Sequence, residues 1–582
     1  MILYIIIMEA LVNNLENYTS QQIGENGHIE YGWSDSIQEK ILQFSFQITR
    51  SDENKISNIL FDMLNLLNLQ LINGTLPEKQ IAKGYLTLLY KMIGQTRDII
   101  DGKGEYTLTY MMIYTWYQVF PILAEFALKC LVDLGDKKIH QYGSWKDIKY
   151  FCKFCRKEGA RMDHPLILEA IRITNEQLRK DTLNINEISL VAKWIPREKS
   201  SFSWLYQALA TDYFNEYMVT ADSQERSVKA VLKCKTDYRK LISGLNITLN
   251  TLQIKQCANV WSEIDFKKVT SISLGKQKRA FLNINNNVAA RYPDRQDRVL
   301  CAENFNNHIQ KAVNGEMEMK GKRVGFTDFT KQARYLYKNN GSQVEKDLLN
   351  SQWRDNSSQN GVLNNFVAVV DLSESMYGDP MDAAISLGIR IAEKSKLGKR
   401  IMTFSMNPSW INLEPYEDFV SQVEAIERGD IGYNTDFYKV LNLFLDAIVT
   451  NKMSSEDVQD MVIVFLSDMQ IDKAEPNKHN RETLYKIIQD KYTDAGLRVH
   501  GKPYKPPHIL FWNLRNTNGF PCLSTETNVS MISGFSPALL NLFCDKGICT
   551  LQSCTPWSIM VQSLNNERYK IMGDFLYKYI HF

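Results

Sequence analysis

The feature that most constrains this fold is a change of period late in the chain. Short apolar runs recur there between amphipathic stretches. They are FVAVVDLS from residue 366, KRIMTFSMN from 399, MVIVFLSDMQ from 461, PHILFWNLR from 507 and VSMISGF from 529. A continuous apolar run of this length suits a strand covered on both faces. Between the runs lie helical patterns such as DPMDAAISLGIRIAEKS and TDFYKVLNLFLDAIVTNK. Strands alternating with helices predict a doubly wound, mostly parallel sheet over 366–582, ending in a closing helix.

Residues 37–337 read differently. Apolar residues there recur at three and four, as in DENKISNILFDMLNLLNLQLI, and strand-like alternation is scarce. Pro121 marks a joint between two helices. Many helices in series predict an array of the HEAT or armadillo kind, although no clean period stands out. Residues 1–36 form an N-terminal segment, and the Asn-, Ser- and Gln-rich stretch 338–365 reads as a linker. The expected class is therefore α plus α/β, a helical array followed by a doubly wound unit. At 582 residues, 44% hydrophobic and 23% charged, the chain can bury sizeable cores and is not disordered overall.

In an open α/β sheet, ligands bind beyond the carboxyl ends of the strands. Three segments put oxygen ligands there: Asp371, Ser373 and Ser375; Asn434, Thr435 and Asp436; and Ser467 with Asp468. None offers His or Cys, so the set suits a hard cation, Mg²⁺ first, with Mn²⁺ or Ca²⁺ as alternatives. Asp and Ser at strand ends also cap helices, and any one segment alone would favour that reading. The three in this order favour a metal site.

The pattern DxSxS, a Thr about sixty residues on and an Asp ending a later strand resembles the metal-ion-dependent adhesion site of von Willebrand factor A domains. Asp371, Ser373, Ser375, Thr435 and Asp468 fill its five positions. The resemblance implies a non-catalytic site whose ion is completed by an acidic residue of a partner. Where that family usually has Gly, this chain has Glu374, which leaves partner choice open. A helical array before such a domain also resembles, distantly, the Ro ribonucleoprotein (TROVE) family, whose ring of helical repeats holds small RNAs. The motifs TRDIIDGKGE, YGSWKDI, KWIPRE, YRKLI, DLSESM, NTDFYKV, LSDMQID, FWNLR and SGFSPALL are similar to those of a family of unknown function in plants, fungi and giant DNA viruses.

Net charge is +2, but it is −4 over 1–150, +11 over 151–350 and −5 over 351–582. Within the basic middle, Lys267, Lys268, Lys276, Lys278, Arg279, Arg291, Arg295 and Arg298 interleave with Phe281 and Tyr292. Such a block can hold phosphates and stack unpaired bases, or can be a solvated face with Phe281 in the core. RNA is the expected nucleic acid, small and structured or single-stranded, and no DNA is expected. DGKGE lacks P-loop spacing and reads as a turn, with Arg97 and Lys103 as candidate anion contacts.

Cys152 and Cys155 form one CxxC with only His164 nearby, which reads as buried thiols rather than zinc. MILYIIIMEA stops too early for a membrane span and lacks a basic leader. A cytoplasmic protein, or one packaged in a virus particle, is expected. The leading expectation is a non-catalytic RNA-binding scaffold with a Mg²⁺ site. A protein-interaction scaffold without RNA is the alternative. A metal-dependent hydrolase comes third, because only Glu374 is available as a base beside the ion.

Overall fold

The structure is a computed structural model describing residues 21–50, 53–136, 138–404, 408–429, 437–470, 483–544 and 548–581, with 548–549 as backbone only. The chain begins with a small hairpin of β1 (Gln21–Ile23) and β2 (Ile29–Tyr31). Helices then follow one another from Ile37–Gln47 to Gln343–Ser357. The six-stranded sheet contains β3 (Phe366–Asp371), β4 (Arg400–Phe404), β5 (Trp410–Asn412), β6 (Val462–Ser467), β7 (His508–Asn513) and β8 (Val529–Ser533). Its order is β5-β4-β3-β6-β7-β8. All neighbours are parallel except β4 and β5. The apolar runs are strands, and every residue of β3, β6, β7 and β8 is buried. The chain leaves β3 toward β4 and returns on the other side to β6. The switch in winding direction therefore falls between β3 and β6, where such folds open a crevice.

Local sequence sets the helix ends. Thr75 and Glu78 cap the Leu76–Arg97 helix reciprocally. Pro121 opens the Pro121–Cys130 helix at the expected joint. Ser144 and Asp147 cap the Trp145–Lys157 helix. Asp147 also takes the Arg97 guanidinium at 2.7 and 2.8 Å and the Tyr110 hydroxyl at 2.6 Å. Those bonds hold the carboxyl below its ordinary range although burial pushes the other way.

One expected boundary is corrected. The stretch 338–365 is not a linker: Gln343–Ser357 is a helix capped by Ser342. Its Trp353 is buried and stacks on Phe419 at 4.0 Å between centroids. Residues 21–36, from the expected N-terminal segment, precede the first helix at Ile37 and join the sheet unit. Tyr31 and Phe520 exchange backbone hydrogen bonds of 3.0 and 2.9 Å, which fastens the hairpin to the sheet unit. MILYIIIMEA lies outside the described residues.

The two halves share a core. Glu39 on the Ile37–Gln47 helix accepts from the Ser524 amide at 3.0 Å. Lys103 in DGKGE is buried and donates to the carbonyls of Ser45 and Ile48 and to the Ser533 hydroxyl, the last at 2.7 Å. The expectation of Lys103 as an anion contact is thus corrected: its ammonium ties the helices to the end of β8. Arg97, spent on Asp147, is corrected likewise. The closing helix Lys570–Tyr579 packs on Leu76–Arg97 so tightly that a Cβ on Gly94 would meet the Met572 sulfur at 2.9 Å. Phe126 and Phe575 stack at 3.7 Å. The far end of the helical series returns as well, since Arg323 donates to the Ile99 carbonyl at 2.8 Å.

Candidate functional site at the strand ends

Asp371 is the last residue of β3, and Ser467 ends β6 beside it. The Asp371 carboxylate is fully buried. It accepts from the Ser467 hydroxyl at 2.6 Å and from the Ser373 amide at 2.9 Å. Ser373 and Ser375 bring their hydroxyls together at 3.0 Å. Asp468 is buried too, and its Oδ1 accepts from the Gln470 amide at 3.1 Å. Its Oδ2 is shielded from solvent and accepts no hydrogen bond. Met469 immediately after it has φ +62°, unusual for a bulky residue, and the Ser467 hydroxyl accepts its amide at 3.0 Å. This turn carries Asp468 beside the β3 loop.

Four of the five expected ligand residues are therefore described, and the structure brings them together at the sheet's switch point. Thr435 lies outside the described residues, as do Asn434 and Asp436. Burial, and then the Asp468 charge, push the Asp371 carboxyl up to about 7. Burial raises Asp468 as well, opposed by the Gln470 amide, the Ser375 hydroxyl and Arg515. Two buried acids side by side disfavour being charged together unless a cation joins them. A hard divalent ion would be ligated by the Asp371 and Asp468 oxygens and the Ser373 and Ser375 hydroxyls, and this donor set fits one. The fit rests on the buried Asp468 oxygen that accepts no hydrogen bond and on hydroxyl ligands. Among the described residues no group of three or more His, Cys, Asp or Glu could hold a metal.

Sequence reasoning missed Arg515, the end of FWNLR. Its guanidinium lies 3.8 Å from Asp468 Oδ2 and donates to the Ser375 carbonyl, while its side chain stays 48% exposed. The Asn513 side chain accepts the Arg515 amide at 3.1 Å and donates to the Phe46 carbonyl at 3.0 Å, so the N-terminal helix helps set it. Position two after a strand end was the available signal. Glu374 is exposed at the rim, in a short turn Glu374–Met376. Gly378 (φ +101°) then starts the Asp379–Lys394 helix, whose Asp379 is held by Arg50 at 2.9 Å and by Lys331.

The basic block divides. Lys267, Lys268, Lys276, Arg291 and Arg295 are exposed. Three others serve the fold, which corrects their assignment as RNA contacts. Lys278 and Arg279 face the buried Glu345 at 3.8 and 3.2 Å. Arg298 is buried, 3.6 Å above the Trp261 ring. Phe281 is a core residue and Tyr292 is exposed. Cys152 and Cys155 are buried in the helical core, and burial pushes the Cys152 thiol up to about 12. His164 caps the Pro165–Leu183 helix and stacks on Tyr114.

Comparison with known proteins adds similarity without a biochemical name. Residues 365–570 match the family model described as Domain of unknown function (DUF7788). Residues 166–356 match another, Domain of unknown function (DUF2828). The chain is 27% identical over 561 residues to "Uncharacterized protein L728" of Acanthamoeba polyphaga mimivirus, covering 93% of this chain and 86% of that one. The giant-virus relative agrees with that part of the family resemblance. The first match begins one residue before β3, so the sheet unit and its strand-end site fall inside one family model. Among the described residues, no helix is long and apolar enough to cross a membrane.

Proposed function

We propose that this chain is a non-catalytic binding scaffold. Its strand-end site takes a divalent cation, Mg²⁺ first, and through it an acidic side chain of a protein partner. Its helical region, read as a HEAT-like array, holds RNA. One observation carries the metal reading: the buried Asp468 oxygen, which accepts no hydrogen bond, beside the buried Asp371 carboxylate. The ion would add positive charge to that of Arg515, which reaches only Asp468, together with an open coordination position. The likeness to the von Willebrand adhesion motif supports a partner's carboxylate at that position, with Glu374 and Arg515 flanking it.

Titration calorimetry with MgCl₂ tests the metal. Binding in the unmodified chain and its loss in Asp371→Asn is expected. No heat and no thermal stabilisation at millimolar Mg²⁺ sinks the reading. Filter binding of small structured RNAs at two salt concentrations tests the RNA part, because phosphate contacts weaken steeply with salt. The protein-only scaffold gains from one observation, the internal use of Lys278, Arg279 and Arg298. Absence of RNA affinity even at low salt leaves that second reading in place.

A further inference from the structure

The Trp145–Lys157 helix carries cations outside the block that the sequence singled out. Lys146, Lys149, Lys153, Arg156 and Lys157 are spaced three, four, three and one apart, which sets them along one face. That face runs ~16 Å. Lys146, Lys153, Arg156 and Lys157 are exposed, and Lys149 is half-buried. Lys157 meets Glu53 at 2.7 Å. The nearby Glu198 is within ion-pair range of Arg239 instead. Among the described residues, no carboxylate comes within ion-pair distance of Lys146, Lys149, Lys153, Arg156 or the neighbouring Lys193. The one acid inside the helix's charged run, Asp147, is buried and spent on Arg97.

Aromatic rings stand among these cations. Lys149 lies 5.3, 5.5 and 5.3 Å from the ring centres of Tyr150, Trp194 and Phe202. Lys153 lies 5.9 Å from Phe202 and Arg156 5.3 Å from Trp204. All four residues are partly buried, with one side packed against the helical core and the other reaching the surface. Tyr150 and Phe202 meet edge to face at 5.7 Å, so the edge of one ring covers one face of the other and leaves the remaining faces open. Beneath them, a crevice of ≈ 20 Å³ opens between Lys149, Cys152, Trp194 and Pro196. It is too small to admit a base.

We propose that the Trp145–Lys157 helix and the adjoining Lys193–Trp204 segment form a surface for unpaired nucleic acid. Its phosphates lie along Lys146, Lys149, Lys153 and Arg156, and its bases stack on Tyr150, Trp194, Phe202 and Trp204. Cations alone would suit any polyanion. The interleaved rings select one whose planar faces are free, since duplex bases are already stacked on each other. The proposal deepens the RNA reading of the chain by giving it a place, at YGSWKDI and KWIPRE rather than at 267–298.

The test is fluorescence anisotropy of labelled oligouridylate with the full chain across a salt series. Oligothymidylate as a second arm separates RNA from DNA as the source of the strand. Salt-sensitive binding is expected in the unmodified chain. The triple substitution Lys149→Gln, Lys153→Gln, Arg156→Gln should flatten the log–log salt slope by about 2, at ~0.7 for each phosphate no longer neutralised. Trp194→Ala should weaken binding roughly tenfold with little change of slope. If both leave binding intact while Lys267→Gln, Lys268→Gln, Arg291→Gln and Arg295→Gln together abolish it, the site is overturned and the RNA reading survives. No binding by the unmodified chain at low salt overturns both. Binding of phosphatidylserine vesicles without binding of either oligonucleotide also overturns the proposal. Should the substituted chains misfold by circular dichroism, ultraviolet crosslinking of oligouridylate to the unmodified chain decides. Crosslinks at Tyr150, Trp194, Phe202 or Trp204 support the surface, and crosslinks at Tyr292 alone overturn it.

Discussion

Two pairs of buried carboxylates, Asp147 with Asp98 and Asp371 with Asp468, are treated in opposite ways. In the helical half, Asp147 receives a bidentate guanidinium from Arg97, a phenol and a helix cap. Asp98 likewise receives Arg568 through two bonds of 2.6 Å. At the strand ends, Asp371 and Asp468 have hydroxyls and amides, and only Arg515 at 3.8 Å from one of them. The first set is complete within the chain, and its charge fixes the fold. The second has one guanidinium at longer range for two carboxylates, so its charge is only partly compensated.

The sharpest way to break this comparison is to unpair the complete set. Asp147→Ala leaves Arg97 buried without its partner, and chemical denaturation should show a loss of about 3–5 kcal/mol. Asp371→Asn, by contrast, should leave the metal-free chain as stable as the unmodified one or slightly more so. The comparison fails if both substitutions destabilise equally. A smaller effect concerns filling the incomplete set. Mg²⁺ at a hundredfold excess over its dissociation constant should stabilise the chain by about 2.7 kcal/mol, and not at all in Asp371→Asn. Denaturant midpoints with and without MgCl₂ measure it.

Glu39 and Glu526 form a third case, with amide donors. Burial raises Glu39 to about 7 and Glu526 to about 8, from ordinary values of 4.5. Raised carboxyls bind protons more tightly folded than unfolded. Their favourable contribution is therefore present below pH 4.5 and is lost as pH rises through about 7 and 8. Glu39→Gln should stabilise the chain on the order of 2 kcal/mol at alkaline pH and less in acid, read from thermal melts at both. The smallest effect belongs to Arg291→Gln on the exposed surface. It should move stability by no more than about 0.5 kcal/mol, which separates the solvated cations of the basic block from Arg298.

The strands were legible because burial on both faces writes a continuous apolar run, and FVAVVD is that run. The site was legible because ligands at strand ends sit close in sequence to those runs. The Gln343–Ser357 helix was hidden by composition: Asn, Ser and Gln surround Leu348, Leu349 and Trp353, which do the packing. Arg298 looks like its neighbours in sequence, and the Trp261 ring and the Ala280 carbonyl, from other turns, make it structural. The cationic face of the Trp145–Lys157 helix was readable from spacing but is split across the acidic first block and the basic second. The hairpin's attachment at Phe520 pairs residues nearly five hundred positions apart, which no local pattern records.

That last kind of pairing has a consequence for how the molecule is made. The Leu76–Arg97 helix finds its cover in Met572 and its neighbours, and the Ile37–Gln47 helix finds its own against β8. During synthesis the early helices leave the ribosome long before either partner exists. Neighbouring helices cover part of their apolar faces early, and the rest is covered only once β8 and the Lys570–Tyr579 helix have been made.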